Sequence, residues 1–205
     1  MLDLGSGPGK FAEVARRRFN AISVDISMHA LRTARARGLD VVVSDGGSLP
    51  FASGTFDVVT MWDTIEHLSQ PVAALREIHR ILRPGGLLML STGDVNSLCK
   101  RLSGRHWHLF TLPEHRYFFS PATLDRLLGL VGLERRAIYH DGAYYSVSYL
   151  IERLVKSFGG STRPIDTLLR QSWLLRAYLP INLFDIVTVH ATKPADRRPS
   201  ANRGL

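Results

Sequence analysis

The sequence predicts an α/β fold, a doubly wound and mostly parallel sheet covered by helices. Three observations carry that reading. Through residue 92, short apolar runs of strand character alternate with stretches of helical apolar spacing, the pattern of parallel strands joined by crossover helices. A glycine-dense turn, Gly5-Ser6-Gly7-Pro8-Gly9, directly follows the first apolar run. Later apolar runs end in acids at Asp25, Asp45 and Asp63, at the carboxyl edge where open α/β sheets bind ligands.

Taken in order, Met1 to Leu4 is the first strand, and the glycine turn opens onto a helix over Lys10 to Arg18. Ala21 to Asp25 is a buried strand, Met28 to Arg37 a helix, and Leu39 to Ser44 a third strand running into Asp45-Gly46-Gly47. Phe56 to Trp62 is the fourth strand. The following helix has the clearest pattern. Pro71 suits its first turn, Val72, Leu75, Ile78, His79 and Leu82 recur at helical spacing, and Pro84-Gly85-Gly86 stops it. His79, on that apolar face, reads as a core histidine. Leu87 to Thr92 is the fifth strand. Ser120-Pro121 announces a helix closed by Gly132, with Leu124, Leu127, Leu128 and Val131 on one face.

Strands around Glu134 to His140 and Leu183 to Thr192 complete the fold. Between them lies an insertion at about 142–182, expected to be a helical pair. Tyr144 to Phe158 and Ile165 to Leu179 both show helical spacing around a polar joint, Gly159 to Pro164. Residues 1–194 are therefore read as one domain, and 195–205 as a disordered basic tail.

The glycine turn discriminates between nucleotide ligands. A dinucleotide fingerprint needs G-x-G-x-x-G, and here the third glycine, Gly9, arrives one residue early. A phosphate-binding Walker loop fails as well, because Leu4 stands where its first glycine belongs and Phe11 follows Gly9-Lys10. The neighbouring acid, Asp3, would repel a pyrophosphate and attract an ammonium group. Asp25, ending the second strand, can accept both hydroxyls of a ribose. For any single acid after a strand the plainer reading is a turn or cap residue; three in register with a glycine turn point to a ligand site.

In the order Asp3-x-Gly5-x-Gly7-x-Gly9, Asp25, Ser44-Asp45-Gly46, Phe56-Asp57-Val58-Val59 and Leu82-Arg83-Pro84-Gly85-Gly86, the chain resembles class I S-adenosylmethionine-dependent methyltransferases. Trp107 to Gly132, with Pro113-Glu114-His115 and Phe119-Ser120-Pro121, is similar to a small-molecule branch that includes ubiquinone-biosynthesis methyltransferases. The resemblance implies a Rossmann-like, seven-stranded sheet whose last strand, Leu183 to Thr192, enters antiparallel beside Glu134 to His140. It implies S-adenosyl-L-methionine as cofactor. Asp3, Gly5, Ser6, Gly7 and Gly9 would hold the methionyl end, Asp25 the ribose and Asp45 the adenine amino group, with Ile26, Gly46 and Asp63 completing the set. The upstream helical segment with which these enzymes cover cofactor and substrate is not seen before Met1, so a more open site is expected.

Methyl transfer from a sulfonium is an in-line displacement, for which the protein supplies positioning and exclusion of water. A hydroxyl acceptor of high pKa adds the need for a base. The candidates are Glu66 and His67, just after the fourth strand, and His115, with His106 and His108 nearby. Asp63-x-x-Glu66-His67 also resembles the sequence with which quinone O-methyltransferases and small-RNA 2′-O-methyltransferases hold a divalent cation, His115 then being the further ligand. Many related methyltransferases carry Glu-His here and use no metal, so S-adenosylmethionine alone is the expected cofactor.

Composition bounds the reading. The chain has 205 residues, 45% hydrophobic and 21% charged, enough for one well-filled domain. Its single cysteine, Cys99, excludes an intramolecular disulfide and suits a reducing cytoplasm. No apolar run approaches a membrane span. The formal charge of +8 rests on Arg16-Arg17-Arg18, Arg32, Arg35, Arg37 and the tail. Such arginines read as solvated helix faces, and no strand interleaves basic and aromatic residues as an RNA-binding sheet does. The expected acceptor is a small or lipid-like molecule methylated at oxygen, with peripheral membrane contact compatible with the charge. RNA 2′-O-methylation and a non-catalytic cofactor-binding scaffold are the alternatives.

Overall fold

A computed structural model of the chain describes residues 1–140, 143–148, 151, 155, 178–181 and 184–195. The strands are β1 (Leu2–Leu4), β2 (Ile22–Asp25), β3 (Asp40–Val43), β4 (Phe56–Trp62), β5 (Leu82–Gly93), β6 (Glu134–Tyr139), β7 (Ala143–Ser146), β8 (Tyr178–Ile181) and β9 (Ile186–Thr192). The helices are α1 (Lys10–Ala15), α2 (Met28–Ala36), α3 (Pro71–Ile81), α4 (Leu98–Ser103) and α5 (Pro121–Leu130), with a 3-10 turn at Gly104–His106. Seven strands form one sheet in the order β3-β2-β1-β4-β5-β9-β6. β1 runs parallel to β2 and β4, β2 to β3, and β4 to β5. β9 is antiparallel between β5 and β6, pairing Leu90 with Val189 and Ile138 with Val189. The doubly wound sheet and the antiparallel last strand are thus as expected.

Because side chains alternate across a strand, the sheet feeds a core on each face. Leu2, Leu4, Val59, Met61, Leu88 and Leu90 join Leu75 and Ile78 of α3 and Leu124 and Leu128 of α5 in the larger core. Met1, Ala12, Ala21, Ala34 and Leu39 form the smaller one, against which Val58 packs. Full burial of Leu75 and Ile78 contributes about 1.5–3 kcal/mol for each side chain. Ser120 closes the amino end of α5 in a capping box with Thr123, as Ser120-Pro121 suggested.

The differences from expectation have local causes. α1 stops at Ala15, because the exposed Arg16-Arg17-Arg18 offers the core nothing to bury and continues as turns. β5 begins at Leu82, so Pro84-Gly85-Gly86 is an irregularity inside the strand, where pairing jumps from Phe56–Leu82 to Val58–Leu87. Lys193 ties that turn down through Gly85 N–H to its carbonyl and its own N–H to the Gly86 carbonyl. The Lys193 ammonium also donates to the carbonyls of His79 and Leu82, each at 2.9 Å, at the carboxyl end of α3, where a helix favours a cation. His79 is half-buried beside that ammonium, not in the core; burial and Lys193 hold its pKa below the usual value.

At the insertion, β7 and β8 form a separate antiparallel pair, with Tyr144 opposite Pro180. The ends of the expected helical pair are therefore strand, consistent with the strand preference of consecutive aromatic residues. Most of the remaining insertion, and all but Ala195 of the basic tail, lie outside the described residues.

Candidate cofactor and acceptor site

The site is built on the exit from β1. Gly5 and Gly7 have φ of 75° and 52°, values that favour glycine, and the N–H groups of Gly5 and Ser6 both donate to the Val24 carbonyl at the end of β2. At Gly5 a side chain is excluded by space as well: its Cβ would lie 2.8 Å from Thr64 Cβ and closer to the Thr64 Oγ1 and Cγ2. The turn is held by Asp25. One carboxylate oxygen accepts from Gly7 N–H and the other from Ser27 N–H, both at 2.8 Å. Two of the roughly four acceptor positions of a carboxylate are thereby used.

Beside this turn opens a cleft of about 380 Å³, lined in part by Gly5, Asp25, Ile26, Asp45, Asp63 and His67. Asp45 accepts from Gly47 N–H at 2.9 Å. Asp63, at a φ of 45°, accepts from the Ser91 hydroxyl at 2.7 Å, and its N–H donates to the Ser91 hydroxyl and carbonyl. The lining holds three carboxylates and one guanidinium, that of Arg116, a balance that attracts a cationic ligand and repels phosphates.

Other predicted residues lie outside the lining. Gly9 caps the amino end of α1, and Ser6, Gly7 and Gly46 are not among the lining residues. Asp3 is buried in the sheet and accepts from the Thr60 hydroxyl at 2.7 Å. Its carboxyl is pushed up to about 6, chiefly by burial and further by the charge of Asp25, with Thr60 opposing. Sequence reasoning missed Leu4, Ser44, Thr64, Leu68, Ser69 and Arg116, which complete the lining, and Ser91, which orients Asp63. Ser44 lies just past the carboxyl end of β3, so the rule that found the acids would also have found it; Ser91 lies inside β5 and is paired with Trp62 and Thr188.

The proposed catalytic groups meet at one side of the cleft. His67 Nδ1 lies 2.9 Å from the Glu114 carbonyl. A carbonyl only accepts, so Nδ1 carries the proton and Nε2 is left as the basic nitrogen. The His67 and His115 rings meet edge to face at 4.6 Å. Burial and the neighbouring His67 hold the His115 pKa below the usual value. Glu66 is buried, and its Oε2 has no hydrogen-bond partner among the described residues. Burial raises its pKa, against the backbone of Glu66 itself, Thr92 and His67. Ligating atoms of Glu66, His67 and His115 lie within 4.8 Å of one another. Asp63, the fourth member of the sequence-derived metal set, is engaged by Ser91 instead. His106 contacts Arg105 and His108 lies beside Asp185, neither lining the cleft.

Trp107, Tyr117 and Phe118 line a separate small pocket of about 10 Å³ with Glu66 and His115. Phe110 stacks on Phe118 at 4.7 Å, Trp107 is buried, and Tyr117 donates to the Ser69 carbonyl. Ser69 also borders a second, larger groove of about 830 Å³, lined by Pro71, Val72, Phe118, Phe119, Leu127 and Leu130, with Arg76 and Arg126 among its polar members.

A family model for a methyltransferase domain matches residues 1–137. The chain belongs to the methyltransferase-domain family. A demethylmenaquinone methyltransferase of Corynebacterium kroppenstedtii is 36% identical over 89 residues, 43% of this chain and 39% of that protein. A ubiquinone biosynthesis O-methyltransferase of Aeromonas salmonicida is 29% identical over 160 residues, 71% of this chain and 66% of that protein. The chain thus spans less than two thirds of the length of these curated relatives. The crystal structure of an SAM-dependent methyltransferase from Archaeoglobus fulgidus matches with a TM-score of 0.61 at 20% identity, over 94% of this chain and 85% of that one, which establishes the shared fold. The family-model match runs from β1 into β6 and so includes the glycine turn, the acid-lined cleft and the Glu66–His67–His115 group. No helix among the described residues is long and apolar enough to cross a membrane.

Proposed function

We propose that this methyltransferase-family chain binds S-adenosylmethionine in the 380 Å³ cleft and directs its methyl group to an oxygen of a small or lipid-like acceptor. The carrying observation is the glycine turn braced by Asp25 beside a wall of three carboxylates, a site chemically matched to a ligand with an ammonium and a sulfonium group. When bound, the cofactor supplies an electrophilic methyl group on its sulfonium sulfur. Asp25 keeps two acceptor positions for ribose hydroxyls, and Asp45 accepts from the adenine amino group. Asp3, behind the turn, is held partly against ionisation by burial; a cation bound nearby favours its charged form. Residues 1–194 act as one domain around this site, with the insertion at about 142–182 and a basic tail over 195–205.

The acceptor lies between the Asp63–His67 loop and the aromatic wall from Trp107 to Phe119. His67 takes the acceptor hydroxyl proton at Nε2, while its Nδ1–H stays on the Glu114 carbonyl. Glu66 stabilises the charge the imidazole gains, and His115, packed edge to face against the ring, holds it in place. The apolar groove reached past Ser69 supports a lipid-like acceptor, whose apolar portion leaves the cleft over Val72, Phe118 and Leu127. The aromatic walls exclude water, which keeps the electrophile from hydrolysis.

The convergence of Glu66, His67 and His115 also supports a second reading, in which they hold a Mg²⁺ or Mn²⁺ ion through oxygen and imidazole ligands. Methyl-transfer rates separate the two. His67→Ala is expected to slow transfer by roughly 10²-fold, the usual contribution of a general base, while leaving cofactor affinity nearly unchanged; the same loss in His115→Ala would move the role to that residue. Indifference to chelator supports the proton-transfer reading, and loss of activity restored by Mg²⁺ supports the metal reading. Full turnover in both variants with no response to chelator would leave positioning as the whole mechanism.

A further inference from the structure

A second cluster of metal-ligand side chains lies where the end of β5 meets the start of β9, and no step of the proposed transfer uses it. Cys99, His108 and Asp185 present Sγ, an imidazole nitrogen and a carboxylate oxygen that all lie within 4.8 Å of one another. They come from three different places in the chain. β5 ends opposite the start of β9, with Gly93 paired to Ile186 and Asp94 N–H donating to the Asp185 carbonyl at 2.8 Å, which fixes Asp185. An Asx turn at Asp94, whose carboxylate accepts from Asn96 N–H, leads into α4, where the Ser97 hydroxyl caps Lys100 N–H and Cys99 lies in the first turn. The chain returns through the 3-10 turn. Buried Trp107 then packs against Gly93 and carries His108 into the cluster.

From this arrangement we infer that Cys99, His108 and Asp185 bind a zinc-type transition-metal ion. The donor set, one thiolate, one imidazole and one carboxylate, is that of Zn²⁺ or Co²⁺ and not of Mg²⁺ or Ca²⁺. Metal–ligand bonds of about 2.0–2.3 Å set ligand atoms roughly 3.3–3.7 Å apart in a tetrahedral shell. His108 Nε2 and Asp185 Oδ2 are already 3.6 Å apart. Cys99, half-buried on a short helix, closes the remaining distance by a small movement of its side chain. Asp185 is 2% exposed, and its carboxylate already lies beside the His108 ring. On binding, the Cys99 thiol releases its proton to solvent and the metal–sulfur bond replaces the sulfur–hydrogen bond. The ion would pin α4 and the aromatic segment after it to the start of β9.

Cys99 is the chain's only cysteine, so a thiolate-to-metal absorption band reports this site and cannot arise from Glu66, His67 and His115. Chelator-treated full-length chain is titrated with Co²⁺. The expected result is a near-ultraviolet thiolate-to-cobalt band that saturates at one equivalent and is bleached by Zn²⁺. The band should disappear in Cys99→Ser, and His108→Gln should shift saturation to at least about 10-fold higher Co²⁺. In the unsubstituted protein, Zn²⁺ should also slow labelling of Cys99 by a disulfide reagent by roughly 10-fold or more. Absence of the band, its survival unchanged in His108→Gln, or labelling indifferent to Zn²⁺ would overturn the assignment.

Discussion

Gly5→Ala is expected to destabilise the protein by about 3 kcal/mol and to remove cofactor binding. Two costs add. An alanine at a φ of 75° costs about 1–2 kcal/mol for the left-handed backbone. Its methyl would also enter the space of the Thr64 side chain, and overpacking of this kind costs about 1–3 kcal/mol. Thr64 belongs to the loop that carries Asp63, Glu66 and His67, so relief of the clash pushes that loop away from the turn and opens the cleft. Urea denaturation reads the first effect and calorimetric titration the second. In the Gly5→Ala/Thr64→Gly double variant the steric cost should disappear while the backbone cost stays. Gly7→Ala is the contrast: nothing lies within 4 Å of the added Cβ, so it should show the backbone cost alone. Equal stability of Gly5→Ala and the parent would mean that the turn does not approach Thr64 as described.

Asp25→Ala is expected to weaken S-adenosylmethionine binding by roughly 10²-fold or more. A hydrogen bond to a charged group contributes about 1.5–3 kcal/mol, and this carboxylate has two kinds to lose: those it accepts from Gly7 and Ser27, which shape the turn, and those proposed to the ribose. The conservative Asp25→Asn separates them. Its amide oxygen can still accept one backbone N–H, while its NH₂ faces the other donor, so a loss between that of the parent and that of Asp25→Ala is expected. An Asp25→Ala protein of undiminished affinity would show the cofactor to be placed wrongly.

The sheet was legible because its strands carry their burial in their own sequence: Leu2, Leu4, Val24, Val59, Met61, Leu88 and Leu90 are all buried, and between the strands α3 repeats its apolar residues at helical spacing. α4 was not legible. Its two large apolar residues, Leu98 and Leu102, are 62% and 79% exposed, so it presents no buried stripe for periodicity to detect, and only Ser97 marks its start. Asp25, Asp45 and Asp63 line the cleft because a strand's carboxyl end fixes where the next residue stands. Asp3 was read as a ligand-facing acid from its neighbours in the glycine turn. It sits within β1, buried and bonded to Thr60, and is not among the residues that line the cleft. Glu66 and His67 stand out in the sequence by their chemistry, their place after the fourth strand and the resemblance of Asp63-x-x-Glu66-His67, and His115 by its chemistry and the resemblance. That they meet depends on the Glu66 carbonyl, which accepts from the N–H groups of Arg116 and Tyr117 and draws the distant segment onto the loop. No local pattern announces such a contact.

The central claim is that the acid-lined cleft is an S-adenosylmethionine site, and calorimetric titration of the full chain with S-adenosylmethionine, NAD and ATP in parallel tests it most directly. The account predicts saturable, one-to-one binding of S-adenosylmethionine, shared by its demethylated product, and no heat of binding from either phosphate-bearing nucleotide, which three carboxylates around the cleft repel. Saturable binding of NAD or ATP at this site, or no binding of S-adenosylmethionine by folded protein, would contradict it.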